Sequence, residues 1–143
     1  YKGQQLWVSD GTAIGTFALL TGKYFGAQPS ASFWGEFKSK VYFPAGDVSD
    51  RELWVTDGTI NGTSLVKDIN ASGSSYPNQF TSYQDTLYFV ANNSQLWKTN
   101  GTQATTVFVQ NIPKPKDILS YEIVKLNSVV SSSGKLFFSL YNY

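Results

Sequence analysis

ELWVTDGTINGTSLVKDI, residues Glu52–Ile69, holds a Leu-Trp pair, an Asp-Gly-Thr turn and a second Gly-Thr four residues on. QLWVSDGTAIGT stands at Gln5–Thr16 and QLWKTNGTQATT at Gln95–Thr106. The Leu-Trp pairs, Leu6-Trp7, Leu53-Trp54 and Leu96-Trp97, recur at intervals of 47 and 43 residues. A second phrase recurs out of phase as KVYF at Lys40–Phe43, TLYF at Thr86–Phe89 and KLFF at Lys135–Phe138, at intervals of 46 and 49. A third, weaker phrase follows each turn: FALL from Phe17, SLVKDI from Ser64 and VFVQNI from Val107. Three phrases in one order at a fixed spacing mark an internal repeat of about 47 residues.

Each phrase reads as a strand. LYFVA and LVKDI are short, β-branched or aromatic, and bounded by turn formers. In ELWVTDGT, Leu53 and Val55 point to one face and Trp54 and Thr56 to the other. Asp10-Gly11, Asp57-Gly58 and Asn100-Gly101 read as turns, because glycine supplies the positive φ and Asp or Asn tolerates a turn's first positions. A weaker strand is expected near Trp34, Phe80 and Val129, each seven residues ahead of the first apolar residue of the LYF-type strand. No segment carries helical apolar spacing. Four short strands in about 47 residues match a β-propeller blade. The expected fold is therefore all-β, with about three four-stranded blades. Leu6, Trp7, Leu53, Trp54, Leu96 and Trp97 are expected to pack between neighbouring sheets, since such a sheet buries its apolar residues only against a copy of itself. The units fall at about 1–32 (the second part of a blade), 33–78, 79–125 and 126–143 (the first part of a blade).

Composition agrees and excludes much. The chain has 143 residues, 41% hydrophobic and 16% aromatic, which suits a packed core. Charged residues make up 15% and the net charge is +1, so no basic nucleic-acid surface is expected; Lys23, Lys38 and Lys40 are too dispersed for a phosphate groove. No apolar run is long enough to span a membrane. Cysteine and histidine are absent, which removes disulfides, thiolate nucleophiles, the commonest general base and the usual zinc ligands. No catalytic, cofactor-binding or metal-ligating residue is expected. Asp47, Asp50, Glu52 and Asp57 cluster near one hairpin and could offer oxygen ligands to Ca²⁺, but their spacing fits no calcium loop and a solvated loop is the better reading. No pair among the ten acids is singled out for glycoside hydrolysis.

ELWVTDGTINGTSLVKDI resembles the ELWxxDGT repeat, found in tandem in large secreted or surface proteins of bacteria and archaea. The first copy departs from it with Gln5 for Glu; the third has Gln95, Asn100 and Thr105 in place of Glu, Asp and Gly. The resemblance covers essentially the whole chain. It implies a propeller-like fold and an extracellular or cell-surface setting, and no defined activity. Methionine is absent, even at position 1, so an excerpt of a longer chain is one expectation. The other comes from phase. KLFFSLYNY followed by YKGQQLWVSDGT reads as one complete unit: Phe137 to Leu6 by that route is 12 positions, and Tyr42 to Leu53 is 11. Three blades fall short of the four to eight that close a propeller. The segments around Leu136, Phe137 and Phe138 and around Leu6 and Trp7 would then pair between copies, giving a ring or a filament.

The expected role is a structural or interaction module whose partners are itself or adjacent repeats. The alternative is a lectin-like propeller, with the Trp trio or Tyr24, Phe25, Trp34, Tyr76, Tyr83 and Tyr121 stacking on sugars. Asn61, Asn70, Asn92 and Asn100 head Asn-X-Ser/Thr triplets and are candidate N-glycan acceptors on a secreted chain.

Overall fold

The computed structural model describes residues 5–20, 24–25, 33–112 and 124–142, with 24–25, 124–129 and 140–142 described by backbone alone. Those residues form four antiparallel β-sheets. The first is a hairpin of β1 (Trp7–Val8) and β2 (Phe17–Ala18). The second is built around β5 (Lys40–Asp47), β6 (Asp50–Thr56) and β7 (Ser64–Lys67). The outer edge of β5 is covered in two pieces, by β4 (Gly35–Phe37) opposite residues 40–42 and by β3 (Tyr24–Phe25) opposite residues 45–46. Pro44, which has no N–H to donate, lies at the gap between them. The third sheet is a four-stranded meander of β8 (Asn78–Tyr83), β9 (Thr86–Ala91), β10 (Gln95–Thr99) and β11 (Val107–Asn111). The fourth is a hairpin of β12 (Val124–Ser132) and β13 (Lys135–Asn142). Among the described residues no helix is long and apolar enough to cross a membrane.

The core lies between successive sheets, and strand alternation decides which residue serves which gap. Tyr42, Leu53, Val55 and Val66 point from the β5–β7 sheet towards Leu87, Phe89 and Ala91 of β9. On its other face Phe43 and Ala45, with Trp54, meet Leu6, Leu19 and Leu20 around the first hairpin. Val90 and Leu96 face away from the first gap and pack with Leu136 of β13. Both faces of each larger sheet are thus covered, and this explains why the LYF-type strands run apolar without alternation. Burying one such side chain, Phe89 or Leu53, contributes about 1.5–3 kcal/mol. Fit is close: a Cβ on Gly35 would stand 2.5 Å from the Phe80 Cβ of the next sheet.

The strands β4, β8 and β12 lie side by side across the three later sheets. The Ser82 hydroxyl donates to the Glu36 carbonyl at 3.1 Å, and the Ser131 hydroxyl donates to the Ser82 carbonyl at 3.1 Å. The three places expected for a weak strand before each LYF-type strand coincide with β4, β8 and β12, although Trp34 itself precedes β4. Among the tight hairpins, those at Lys38-Ser39 and Gln84-Asp85 fall where the sequence carries no glycine or asparagine. Lys38-Ser39 and Gln84-Asp85 both have φ between +46° and +56°, and Ser133-Gly134 have +48° and +74°. Positive φ at both central residues is the type I′ turn that matches strand twist.

Candidate functional site

The repeated Asp-Gly-Thr loop is ordered from within. Seven residues separate β6 from β7, so this is a loop and not the tight hairpin that its Asp-Gly pair suggests. Gly58 takes φ +90°, and Gly11 and Gly101 take +91° and +102°. The Gly58 N–H donates to the Thr56 hydroxyl at 3.0 Å, and Thr56 and Thr63 share a hydrogen bond of 2.7 Å. The Thr63 hydroxyl in turn donates to the Thr59 carbonyl at 2.6 Å. Because a hydroxyl has one proton, Thr56 is the donor to Thr63. Ser9, Gly11, Thr12 and Thr16 make the same relay, as do Thr99, Gly101, Thr102 and Thr106.

The three loops differ at two linked positions. Asp57 Oδ1 accepts from the Thr59 N–H at 2.9 Å and the Thr59 hydroxyl at 2.7 Å; Asp10 does the same with Thr12. The hydroxyl of Thr59, with its N–H, holds the Asp57 carboxyl below the usual carboxylate range, and Thr12 does so for Asp10. A Cβ on Gly62 would lie 2.0 Å from Asp57 Oδ1, and one on Gly15 would lie 2.1 Å from Asp10 Oδ1. In the third loop the glycine is Thr105 and the aspartate is Asn100. There the Thr105 oxygen accepts from the Thr102 and Asn100 N–H groups, each at 3.2 Å. One hydroxyl stands in for one carboxylate oxygen. Asn100, released from that duty, accepts from Lys38 Nζ at 2.9 Å. The third turn is therefore compensated, although its sequence reads as degenerate.

Glu52 is structural. It is buried, and its carboxylate accepts from Ser75 N–H at 2.7 Å, Ser75 hydroxyl at 2.6 Å, Ile69 N–H at 2.7 Å and Asn70 N–H at 3.3 Å. It pins the segment that leads from one sheet to the next. Gln95, at the same place in β10, instead accepts from Asn92 Nδ2 at 2.9 Å and Trp97 Nε1 at 3.1 Å. The acids regroup relative to the sequence reading. Asp50, Glu52 and Asp68 bring carboxylate oxygens within 4.8 Å of one another, whereas Asp57 is engaged in its own loop. Four donors already occupy the lone pairs of Glu52, so it has little left to offer a cation.

The Leu-Trp pairs do not share one environment. Leu6, Leu53 and Leu96 are all buried. The ladders β6–β7 and β10–β11 both shift register between Leu and Trp, at Leu53/Trp54 and Leu96/Trp97, so Val66 of β7 and Val109 of β11 are each the extra residue of a β-bulge opposite the pair. Trp54 packs on the Phe43 cluster, and Trp97 meets the Phe108 ring edge-on at 5.9 Å. Trp7 is 59% exposed, beside a cleft of about 250 Å³ that Leu6, Leu19, Trp34 and Val41 also line. Of the other aromatics, Tyr76 lies under the Arg51 guanidinium at 5.6 Å and Tyr83 donates to the Gly134 carbonyl. Tyr121 and Lys23 lie outside the described residues, as do the side chains of Tyr24 and Phe25.

Among the candidate glycan acceptors, Asn61 and Asn100 are exposed in loops. Asn70 and Asn92 are half-buried, with Nδ2 donating to Ser74 O at 3.4 Å and to Gln95 Oε1 at 2.9 Å. Phe137 and Phe138 are 50% and 46% exposed, and among the described residues β1 and β13 each pair on one edge only. No family model, curated protein or solved structure matches the chain.

Proposed function

We propose that the chain is a non-enzymatic structural and interaction module built of propeller-type blades, whose half-paired terminal strands are completed by a neighbouring copy or by adjoining repeats. One observation carries this reading. Two sheets covered on both faces are flanked by two two-stranded hairpins, and each hairpin is one half of the four-strand pattern that β8–β11 complete. The blade assignment is supported by the alignment of β4, β8 and β12, the first strand of each unit, through the Ser82 and Ser131 hydroxyls. In a propeller the first strands converge on the axis in that way. An extracellular or cell-surface location follows from the resemblance to ELWxxDGT repeats, and Asn61 and Asn100 are the sequons best placed for glycans.

Light scattering across a range of protein concentrations tests the role. A mass that rises above one chain to a closed oligomer or a filament is expected; a single-chain mass throughout would overturn completion by a neighbouring copy. The exposed Trp7 and its cleft favour a second reading, a carbohydrate site where the indole stacks on a sugar face. Quenching or a blue shift of tryptophan fluorescence on titration with oligosaccharides, lost in Trp7→Ala, would select it.

A further inference from the structure

We propose that β13 of one copy pairs antiparallel with β1 of a second copy, in the register that sets Phe138 opposite Trp7. This deepens the interaction-module reading and rests on it. The register is copied from the two complete sheets. In β5–β6, Phe43 lies opposite Trp54, Tyr42 opposite Val55 and Val41 opposite Thr56. In β9–β10, Phe89 lies opposite Trp97, Tyr88 opposite Lys98 and Leu87 opposite Thr99. Carried to the terminal phrases, the same steps set Phe138 against Trp7, Phe137 against Val8 and Leu136 against Ser9.

Burial shows what the pairing would supply. Phe43 and Phe89 are fully buried, whereas Phe138, at the same step, is 46% exposed. Trp54 and Trp97 are half-buried; Trp7 is 59% exposed. Each of these aromatic side chains lacks the cover that its two counterparts have. Charge also fits. One step beyond Val41 and Thr56, Lys40 comes opposite Asp57 and its charge acts on that carboxylate. The same step brings Lys135 opposite Asp10, and residues 5–9 and 136–140 carry no charge between them. The second copy is the occupant because one copy keeps its own ends apart. The β1–β2 hairpin packs on the Phe43 face of one sheet, and β13 packs on the Val90 face of the next, with both sheets in between.

The chain has no cysteine, so introduced thiols report without background. Purified Val8→Cys and Phe137→Cys chains, mixed and mildly oxidised, would hold their Cα atoms at a distance a disulfide can bridge. A mixed disulfide dimer is expected in several-fold excess over that from Val8→Cys with Ser133→Cys, four steps out of register. Adding Phe138→Asp to the Phe137→Cys chain should abolish the excess, and since Phe138 is half exposed the single chain still folds. Equal yields from both pairs, or no mixed dimer, would overturn the pairing. If the native chain still associates by mass, only this register falls; if it stays single, completion by a neighbouring copy falls with it.

Discussion

Removing the Glu52 carboxylate tests the way one sheet is tied to the next. In Glu52→Ala the Ile69 N–H and the Asn70 N–H lose the acceptor they have at 2.7 and 3.3 Å, while Ser75 falls back on the Arg51 carbonyl, 3.0 Å from its N–H and 3.5 Å from its hydroxyl. Ser75 is fully buried, so water cannot replace the carboxylate there. Two orphaned donors at about 1–3 kcal/mol each, less the relief of no longer burying a charge, give a destabilisation of about 3–4 kcal/mol. For a chain of this length that lowers Tm by roughly 10 °C. Glu52→Gln should cost less, about 1–2 kcal/mol: the amide keeps one acceptor, and the Ser75 hydroxyl can turn to accept from its NH₂. The assay is urea unfolding followed by tryptophan fluorescence at one fixed protein concentration, because association adds to apparent stability. An alanine variant within about 0.5 kcal/mol of the native chain would refute the reasoning, since surface changes without a structural role fall in that range.

Three further outcomes follow from the loops and turns. Gly62→Thr alone should lower Tm, because its Cβ would collide with the Asp57 carboxylate, and adding Asp57→Asn should restore most of the loss by copying the third loop; thermal unfolding of the single and double variants reads this. Ser39→Gly should raise stability by about 0.5–1 kcal/mol in the same urea assay, since Ser39 holds φ +56° without glycine's freedom. Acid should weaken the fold through Asp10 and Asp57, whose pKa values are lowered chiefly by the Thr12 and Thr59 hydroxyls. A lowered folded pKa contributes stability above the unfolded value of about 3.9 and loses it as pH falls through the folded one, so the decline lies below about pH 4. An acid titration of Asp10→Asn/Asp57→Asn should show a smaller decline.

The all-β class and the repeated strand positions were legible because each apolar run is short and bounded by turn formers, whereas β3 at Tyr24–Phe25 lies outside the repeated phrases. The gap between sheets was legible in part: Leu53 and Val55 serve one gap and Trp54 the other, as alternation requires. Four things were not legible. The type I′ turns at Lys38-Ser39 and Gln84-Asp85 carry no glycine or asparagine, so the usual signal is missing. The Asp-Gly pairs carry that signal but open longer loops, in which threonine hydroxyls do the closing. Spacing along the chain also grouped Asp57 with Asp50 and Glu52, whereas the fold brings in Asp68 from β7's far end. The structural duty of Glu52 depends on a segment 17 to 23 residues later, a contact that no local pattern records.

Hydrogen–deuterium exchange of the native chain at rising concentration tests the central claim most directly, because it reads the unpaired strand edges themselves. The account predicts that amides at Trp7–Val8 and across β13 gain protection with concentration, while those of β11, the outer strand of a complete sheet, do not. Protection that never rises at the two terminal strands, or rises at β11 instead, would contradict it.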